Sequence, residues 1–173
     1  MIRIATSDDA QALAELAAIT FPLACPPGTT DEDVADFLAD NLTTEHFAAY
    51  LADPDRTVLV AEHDGALIGY TMLVAGEPRD PDVAAAISLR PTVELSKCYA
   101  HPDRHGTGIA TELMQASIIA SKDRGAVGMW LGVNQHNARA NRFYEKNDFV
   151  QVGTKHFTVG AQLHDDYVRE RAL

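Results

Sequence analysis

Residues 92 to 125, TVELSKCYAHPDRHGTGIATELMQASIIASKDRG, constrain this chain more than any other stretch. A β-branched and apolar run starting near Thr92 ends at Tyr99 and Ala100, Pro102 stops it, and Gly106 and Gly108 lead directly into a long helical pattern that closes at Gly125. This is the pattern of a strand, a glycine loop and a helix. The first four N–H groups of a helix have no partner inside it and carry the positive end of its dipole, so an anion placed there is stabilised twice over. Gly106 and Gly108 remove the side chains that would hold a phosphate away. The stretch predicts a seat for a pyrophosphate built from backbone.

Length and charge narrow the remainder. A chain of 173 residues with 46% apolar composition fills one core and is short for two, so one domain over residues 1–173 is expected. The opening MIRIATSDD holds no basic segment followed by an apolar run, and nothing approaches the ~18 uninterrupted apolar residues of a membrane span. The expectation is a soluble, cytoplasmic chain without a membrane segment. Cys25 and Cys98 are far apart and lack C-x-x-C partners, so both read as reduced thiols and neither a disulfide framework nor a zinc site is expected. With 25 acidic against 14 basic side chains, the net charge of -11 repels a polyphosphate backbone and excludes nucleic acid as the expected partner. Solubility alone is the plain account of such a charge, and attraction of a small cation is the other.

Taken in order, the pattern is α/β without a linker. Ile2 to Ala5 is a short strand, and Ser7 or Asp8 can cap a helix carrying Leu13, Leu16 and Ala17 until Pro22 breaks it. Thr29 and Glu32 stand at capping-box spacing ahead of a strongly acidic helix with Val34, Phe37 and Leu38, and a further short helix follows Thr43. Runs 57–62 and 66–74 flank His63-Asp64-Gly65 and predict an antiparallel hairpin. Residues 76–91 read as a surface excursion with room for one helical turn. Residues 127–133 form a buried strand with Met129 and Trp130 as core, 137–146 a short helix ending at Asn147-Asp148, and 149–159 and 164–171 two closing strands.

The series Glu94-Leu-x-x-x-Tyr99-x-x-Pro102, then His105-Gly106-x-Gly108-Ile109-Ala110, then Asn137-x-x-Ala140-x-x-Phe143-Tyr144-Glu145-Lys146-x-x-Phe149, resembles the Gcn5-related N-acetyltransferases. The likeness extends over residues 58–173. Within that family, Trp130-Leu-Gly-Val133, Arg104-His105-Gly106 and Phe149-Val-Gln-x-Gly153 are similar to the bacterial spermidine and spermine acetyltransferases. The resemblance implies a mixed, mostly antiparallel sheet of about 6–7 strands with a splayed pair, flanked by about 4–5 helices. It implies acetyl-CoA as cosubstrate, direct attack by a primary amine of polyamine-like kind, and a family habit of forming homodimers. Two departures stand out: His105 sits where Arg or Gln is common, with Arg104 adjacent, and Asp148 replaces a usual glycine. If left-handed, Asp148 costs on the order of 1 kcal/mol relative to Gly.

The resemblance also distributes roles. Arg104, His105, Gly106, Thr107, Gly108, Ile109 and Ala110 would hold the pyrophosphate, while backbone groups around Cys98, Tyr99 and Ala100 would grip the pantetheine arm and polarise the thioester. Cys98 would serve through its backbone, its side chain being a small buried thiol and not a nucleophile. Asn137 is an N-cap that would also reach the cofactor arm. Tyr144 is the candidate general acid, protonated at neutral pH and available to the departing thiolate, against the plainer account of a tyrosine packed with Phe143. Glu94 occupies the position of the general base in histone-type members, and equally suits an anchor for a cationic substrate. His101 and His105 are four apart but lie in a loop, so no metal is expected. A third glycine is missing after Gly108, where Thr111 stands, which sets aside a dinucleotide fold. A non-catalytic acyl-CoA-binding module, a peptide N-terminus or a protein lysine remain the other functional readings.

Overall fold

The computed structural model describes all 173 residues, Met1–Leu173. In chain order they form β1 (Ile2–Ile4), α1 (Ala10–Ala24), α2 (Asp31–Asn41), α3 (Thr44–Ala52), β2 (Arg56–His63), β3 (Ala66–Ala75), α4 (Pro81–Ala86), β4 (Thr92–Ala100), α5 (Ile109–Asp123), β5 (Gly128–Asn134), α6 (Ala138–Lys146), β6 (Val150–Val159) and β7 (Gln162–Ala172). The strands make one seven-stranded sheet in the order β1-β2-β3-β4-β5-β7-β6. Every neighbouring pair is antiparallel except β4 with β5. The mixed α/β fold expected from the sequence is therefore present, with α4 adding a sixth helix. No helix is long and apolar enough to cross a membrane.

Local chemistry explains most of these elements. Asp64 and Gly65 take φ of 52° and 78°, the left-handed pair that a two-residue hairpin turn between β2 and β3 requires. Thr43 caps α3 by accepting from the His46 N–H, and Asn137 caps α6 by accepting from Ala140. Three expectations are corrected. A 3-10 turn at Ser7–Asp9 precedes α1, and the Asp9 carboxylate accepts the Thr6 N–H at 2.7 Å, so neither Ser7 nor Asp8 caps the helix. Pro22 lies inside the last turn of α1, where its ring faces solvent and the single lost hydrogen bond does not end the helix. The cap of α2 is Thr30, which accepts from Asp33 at 3.0 Å, while Thr29 turns its hydroxyl back onto the Pro26 carbonyl.

Helices cover both faces of the sheet. On one face α1 and α3 bury Leu13, Leu16, Phe21 and Phe47 against Val58, Val60, Tyr70 and Met72. On the other, α5 packs Met114 and Ile118, and α6 packs Phe143 and Tyr144, against a cluster that includes Leu73, Val93, Leu95, Met129 and Phe149. Residues 76–91, expected on the surface, instead seal part of the sheet: Val83 and Ile87 are buried against Trp130 and Val168. The six residues of α4, fewer than two turns, are too few for its apolar side to be visible as a period.

One feature of the sheet creates space. β4 and β5 pair only through Thr92, Val93 and Glu94 against Gly128, Met129 and Trp130, and then separate. β4 continues along β3 as far as Ala100, and β5 continues along β7 as far as Asn134. The strands thus form a wedge open at the carboxyl ends of the one parallel pair, the place where α/β sheets hold ligands. A bulge assists: Met72 pairs with Lys97 and Leu73 with Leu95, so Ser96 has no partner on β3.

Candidate active site

The wedge holds a cavity of about 380 Å3. Its walls are β4 from Glu94 to Ala100, β5 from Gly132 to Asn134, the first turns of α6, the end of α1, and β6.

At one end the lining is mostly backbone. Beyond Glu94 the edge of β4 that faces β5 has no strand partner. After β4, Gly106 and Gly108 adopt φ of 80° and 91°, and a Cβ at either would meet no atom within 4 Å, so the loop lies open on its outer side. The N–H groups of Gly106, Gly108, Ile109, Ala110 and Thr111 donate to no protein acceptor; the first intrahelical bond is Glu112 N–H to Gly108 C=O. Five free amides converging on a helix start form a nest for an anion. A diphosphate fits this donor set, which offers hydrogen bonds without a side chain in the way.

His105 ties this loop to β4. Its Nε2 lies 3.2 Å from the Ala100 carbonyl oxygen, and Arg139 Nη1 donates to its Nδ1 at 3.0 Å. Nδ1 is then the acceptor and Nε2 carries the proton that goes to Ala100. Arg139, from α6, lines the cavity. Arg104, grouped with the loop in the sequence, turns its side chain away into a separate depression with Arg3, Asp9 and His101, and Thr107 donates to its carbonyl at 2.6 Å. The positive side chain beside the loop is therefore Arg139, and no spacing rule could have shown that α6 begins next to His105.

In the middle, α6 delivers Asn137 and Tyr144. The Asn137 Oδ1 is used in its cap, and its amide NH2 makes no hydrogen bond within the protein. Tyr144 packs edge-on to Phe143 and Phe149, with ring centroids 5.5 and 5.9 Å away, and remains reachable from the cavity. Enclosure by protein raises its phenol well above the usual value, with Cys98 and Tyr99 as neighbours. Burial pushes the Cys98 thiol up to about 12. An inert, protonated Cys98 agrees with its reading as a buried small side chain.

The other end is lined by side chains. Phe21 stacks on Phe37 at 4.3 Å, Phe37 meets Phe157 at 5.7 Å, and the three roof the cavity. On the same lining stand Glu94, Lys97, Lys155 and Asp166. Burial raises Glu94, against the pull of Lys155 and Lys97, and burial lowers Lys97 to about 8. Burial likewise raises Asp166 to about 6, Lys155 opposing. The acidic residues of α2 do not reach this space. Asp31, Glu32, Asp36 and Asp40 are exposed, and Phe37 is the member of that helix that lines the cavity.

Lys97, Lys155, Asp166 and Arg139 are the residues that sequence reasoning missed. Glu94 and Lys97 are three apart, an odd separation that places strand side chains on opposite faces. The bulge at Ser96 restores both to one face, opposite Val74 and Met72. Lys155 arrives from the far edge of the sheet, beside Asp166, with its Cε against Gly132.

Comparison with known proteins agrees with this geometry. The model of the acetyltransferase (GNAT) family matches residues 11–149. A protein of Mycobacterium tuberculosis named as an uncharacterized N-acetyltransferase is 48% identical over 165 residues, covering 95% of this chain and 98% of its own. Among solved structures, the PaiA N-acetyltransferase of Thermoplasma acidophilum in complex with coenzyme A superposes with a TM-score of 0.79 at 19% identity, covering 100% of this chain and 98% of that one. The yncA protein of Salmonella typhimurium with its cofactor acetyl-CoA gives a TM-score of 0.65 at 24% identity, covering 100% of this chain and 93% of that one. The wedge between β4 and β5, the glycine loop and the family match lead to one conclusion: this chain belongs to the GNAT acetyltransferase family.

Proposed function

We propose that this protein transfers the acetyl group of acetyl-CoA to a small primary amine by direct attack. The observation that carries the proposal is the continuity of the cavity: free backbone amides and the unpaired edge of β4 at one end, aromatic and charged side chains at the other, and Tyr144 between them. A two-substrate reaction needs two such unlike halves meeting at one acid.

Bound acetyl-CoA supplies an acetyl thioester. The free amides of Gly106, Gly108, Ile109, Ala110 and Thr111, with Arg139 beside them, hold its diphosphate, and Asn137 and the β4 edge from Cys98 to Ala100 hold the arm. N–H groups on that edge face the negative charge that develops on the acyl oxygen. The amine must lose a proton as its nitrogen bonds to the acyl carbon; Glu94, raised by burial and facing the cavity, accepts it directly or through water. Tyr144 donates its phenolic proton as the carbon–sulfur bond breaks, and regains one from solvent. A phenol raised by burial would be a poor donor to a thiolate in water. In this cavity the thiolate is disfavoured as well, because the same surroundings drive the Cys98 thiol up to about 12. Burial thus disfavours the thiolate as it disfavours the phenolate, and the two effects oppose each other in the transfer.

Tyr144→Phe tests the role. Loss of the acid lowers kcat by about 10²- to 10⁴-fold, while calorimetry shows acetyl-CoA still bound. Turnover equal to the parent protein removes Tyr144 from the reaction. Release of coenzyme A thiol with a panel of amines tests the transfer itself, and its absence would leave a binding module.

The narrower polyamine reading rests on short sequence likenesses and on the acidic first third of the chain. Trp130, in one of those likenesses, is buried under α4. The acidic face of α2 lies outside the cavity. A polycation would meet Lys97 and Lys155 as well as Glu94 and Asp166, and each close like-charge contact costs about 1–4 kcal/mol. A compact amine is the better fit.

A further inference from the structure

Four charged side chains line the acceptor end of the cavity, two acids and two bases, and none of them is in an ion pair or a side-chain hydrogen bond. Glu94, Lys97, Lys155 and Asp166 line the same space. None appears in any side-chain hydrogen bond of the molecule, and none takes part in its eight salt bridges. Asp166 is 5% exposed, and its Oδ1 is buried without a partner. A buried carboxylate oxygen is normally saturated, because leaving water without a replacement bond is costly. Charges held apart in this way are complementary to something that carries both signs.

The arrangement is built by the sheet. The bulge at Ser96 brings Lys97 to the face of Glu94. Lys155 and Asp166 are cross-strand partners on β6 and β7. Gly132 leaves the room into which the Lys155 stem extends, since a Cβ there would overlap its Cε. The Lys155 ammonium lies 5.6 Å from the Phe157 ring centroid, so it stands beneath the aromatic roof among the lining charges. With two acids and two bases together, an acceptor that carries both signs finds a counter-charge for each.

We infer that the acceptor is a small zwitterionic primary amine of the amino-acid type, whose acidic group is held by Lys155 with Lys97 and whose N–H or O–H donor satisfies Asp166 Oδ1. The inference rests on the acetyl transfer proposed above and names the substrate for it. The Phe21, Phe37 and Phe157 roof covers the apolar part of such a molecule. In binding, the ligand's carboxylate takes the place of the water around the lysine ammoniums, and the acceptor's own donor group fills the open valence of Asp166. Lys155 is here a specificity-determining residue, distinct from the groups that move protons.

Thiol release from acetyl-CoA is measured with matched pairs: ω-amino acids against their amides, α-amino acids against their amides, and putrescine and spermidine alongside. The ω-amino acid pairs keep amine basicity close and so isolate the anion. The expected result is a kcat/KM at least about tenfold higher for the acid member of a pair, with the polyamines below both. Lys155→Met, which keeps the stem and removes the charge, collapses that ratio towards one. Amides or polyamines used as well as the acids, or a ratio unchanged in the Lys155→Met protein, overturn the zwitterionic acceptor while acetyl transfer stands. Thiol release from no amine in the panel overturns both.

Discussion

Strand β7 carries three buried charged side chains within five positions, and they live under opposite rules. Arg169 is saturated: Nε donates to Asn141 Oδ1 at 3.0 Å, Nη2 to Glu145 Oε1 at 2.8 Å, and Nη1 reaches the Phe149 carbonyl. Glu170 accepts from the Ser88 and Leu89 N–H groups and from the Ser88 hydroxyl, at 3.0 to 3.1 Å. The Asp166 side chain, as deeply buried, makes no hydrogen bond. Arg169 and Glu170 fasten α6 and residues 88–89 to the sheet, so their bonds are complete within the protein. Asp166 faces the cavity, and its bonds are left for a ligand. Burial of a charge does not separate structure from function here; saturation does.

The sharpest way to break this contrast is to remove a saturated charge. Glu170→Ala strands two amides and a hydroxyl between the 88–89 segment and the sheet. The expected loss is about 3–5 kcal/mol of unfolding free energy by urea titration. A loss below about 1 kcal/mol would mean that the bonds of Glu170 are no more structural than the missing ones of Asp166.

The opposite sign is expected at Asp166. Its folded value of about 6 stands above the ordinary 3.8, so the folded state holds the proton more tightly than the unfolded chain. Stability therefore falls as pH rises from about 4 through 6, and the deficit is complete above that window, at about 2–3 kcal/mol. Asp166→Asn removes the ionisation. Unfolding at about pH 8 should show a gain of about 2 kcal/mol over the parent, and at about pH 4 almost none. Equal changes at the two pH values would show that the carboxylate is not held unpaired in solution.

The same contrast explains how much was legible in the sequence. The fold was readable where chemistry is local: Asp64-Gly65 demands its hairpin, Thr43 and Asn137 their helices, and Gly106 and Gly108 their loop. The backbone end of the site was readable for the same reason, because a glycine loop opening a helix is contiguous in the chain. Tyr144 and Asn137 were found through their place in a motif, and the structure brings both to the cavity. The acceptor end was not readable. Lys155 and Asp166 come from the two strands farthest along the chain, Lys97 shares a face with Glu94 only through a bulge, and Arg139 reaches the loop through tertiary packing. Charge counting gave the amount of acidity and not its direction: the folding of α2 turned Phe37 inward and left Asp31, Glu32, Asp36 and Asp40 exposed, as the plain account of a solubilising charge expects.

The smallest expected effect is also the most selective. Gly132 has ordinary strand backbone, and what a Cβ there would meet is chiefly the Lys155 side chain, with Asp166 Oδ2 at 3.4 Å. The Cε that must yield belongs to the far end of a flexible chain, so Gly132→Ala moves the ammonium without disturbing the β5–β7 pairing. Stability should change by no more than about 0.5 kcal/mol, the scale of a substitution outside a packed or saturated site. The KM for the amine should rise by about three- to tenfold with the affinity for acetyl-CoA preserved, because the displaced charge serves one substrate and not the other. If instead the protein loses about 2 kcal/mol or more, Lys155 is locked in place by packing, and the unpaired charges of the cavity share the structural duty of Arg169 and Glu170.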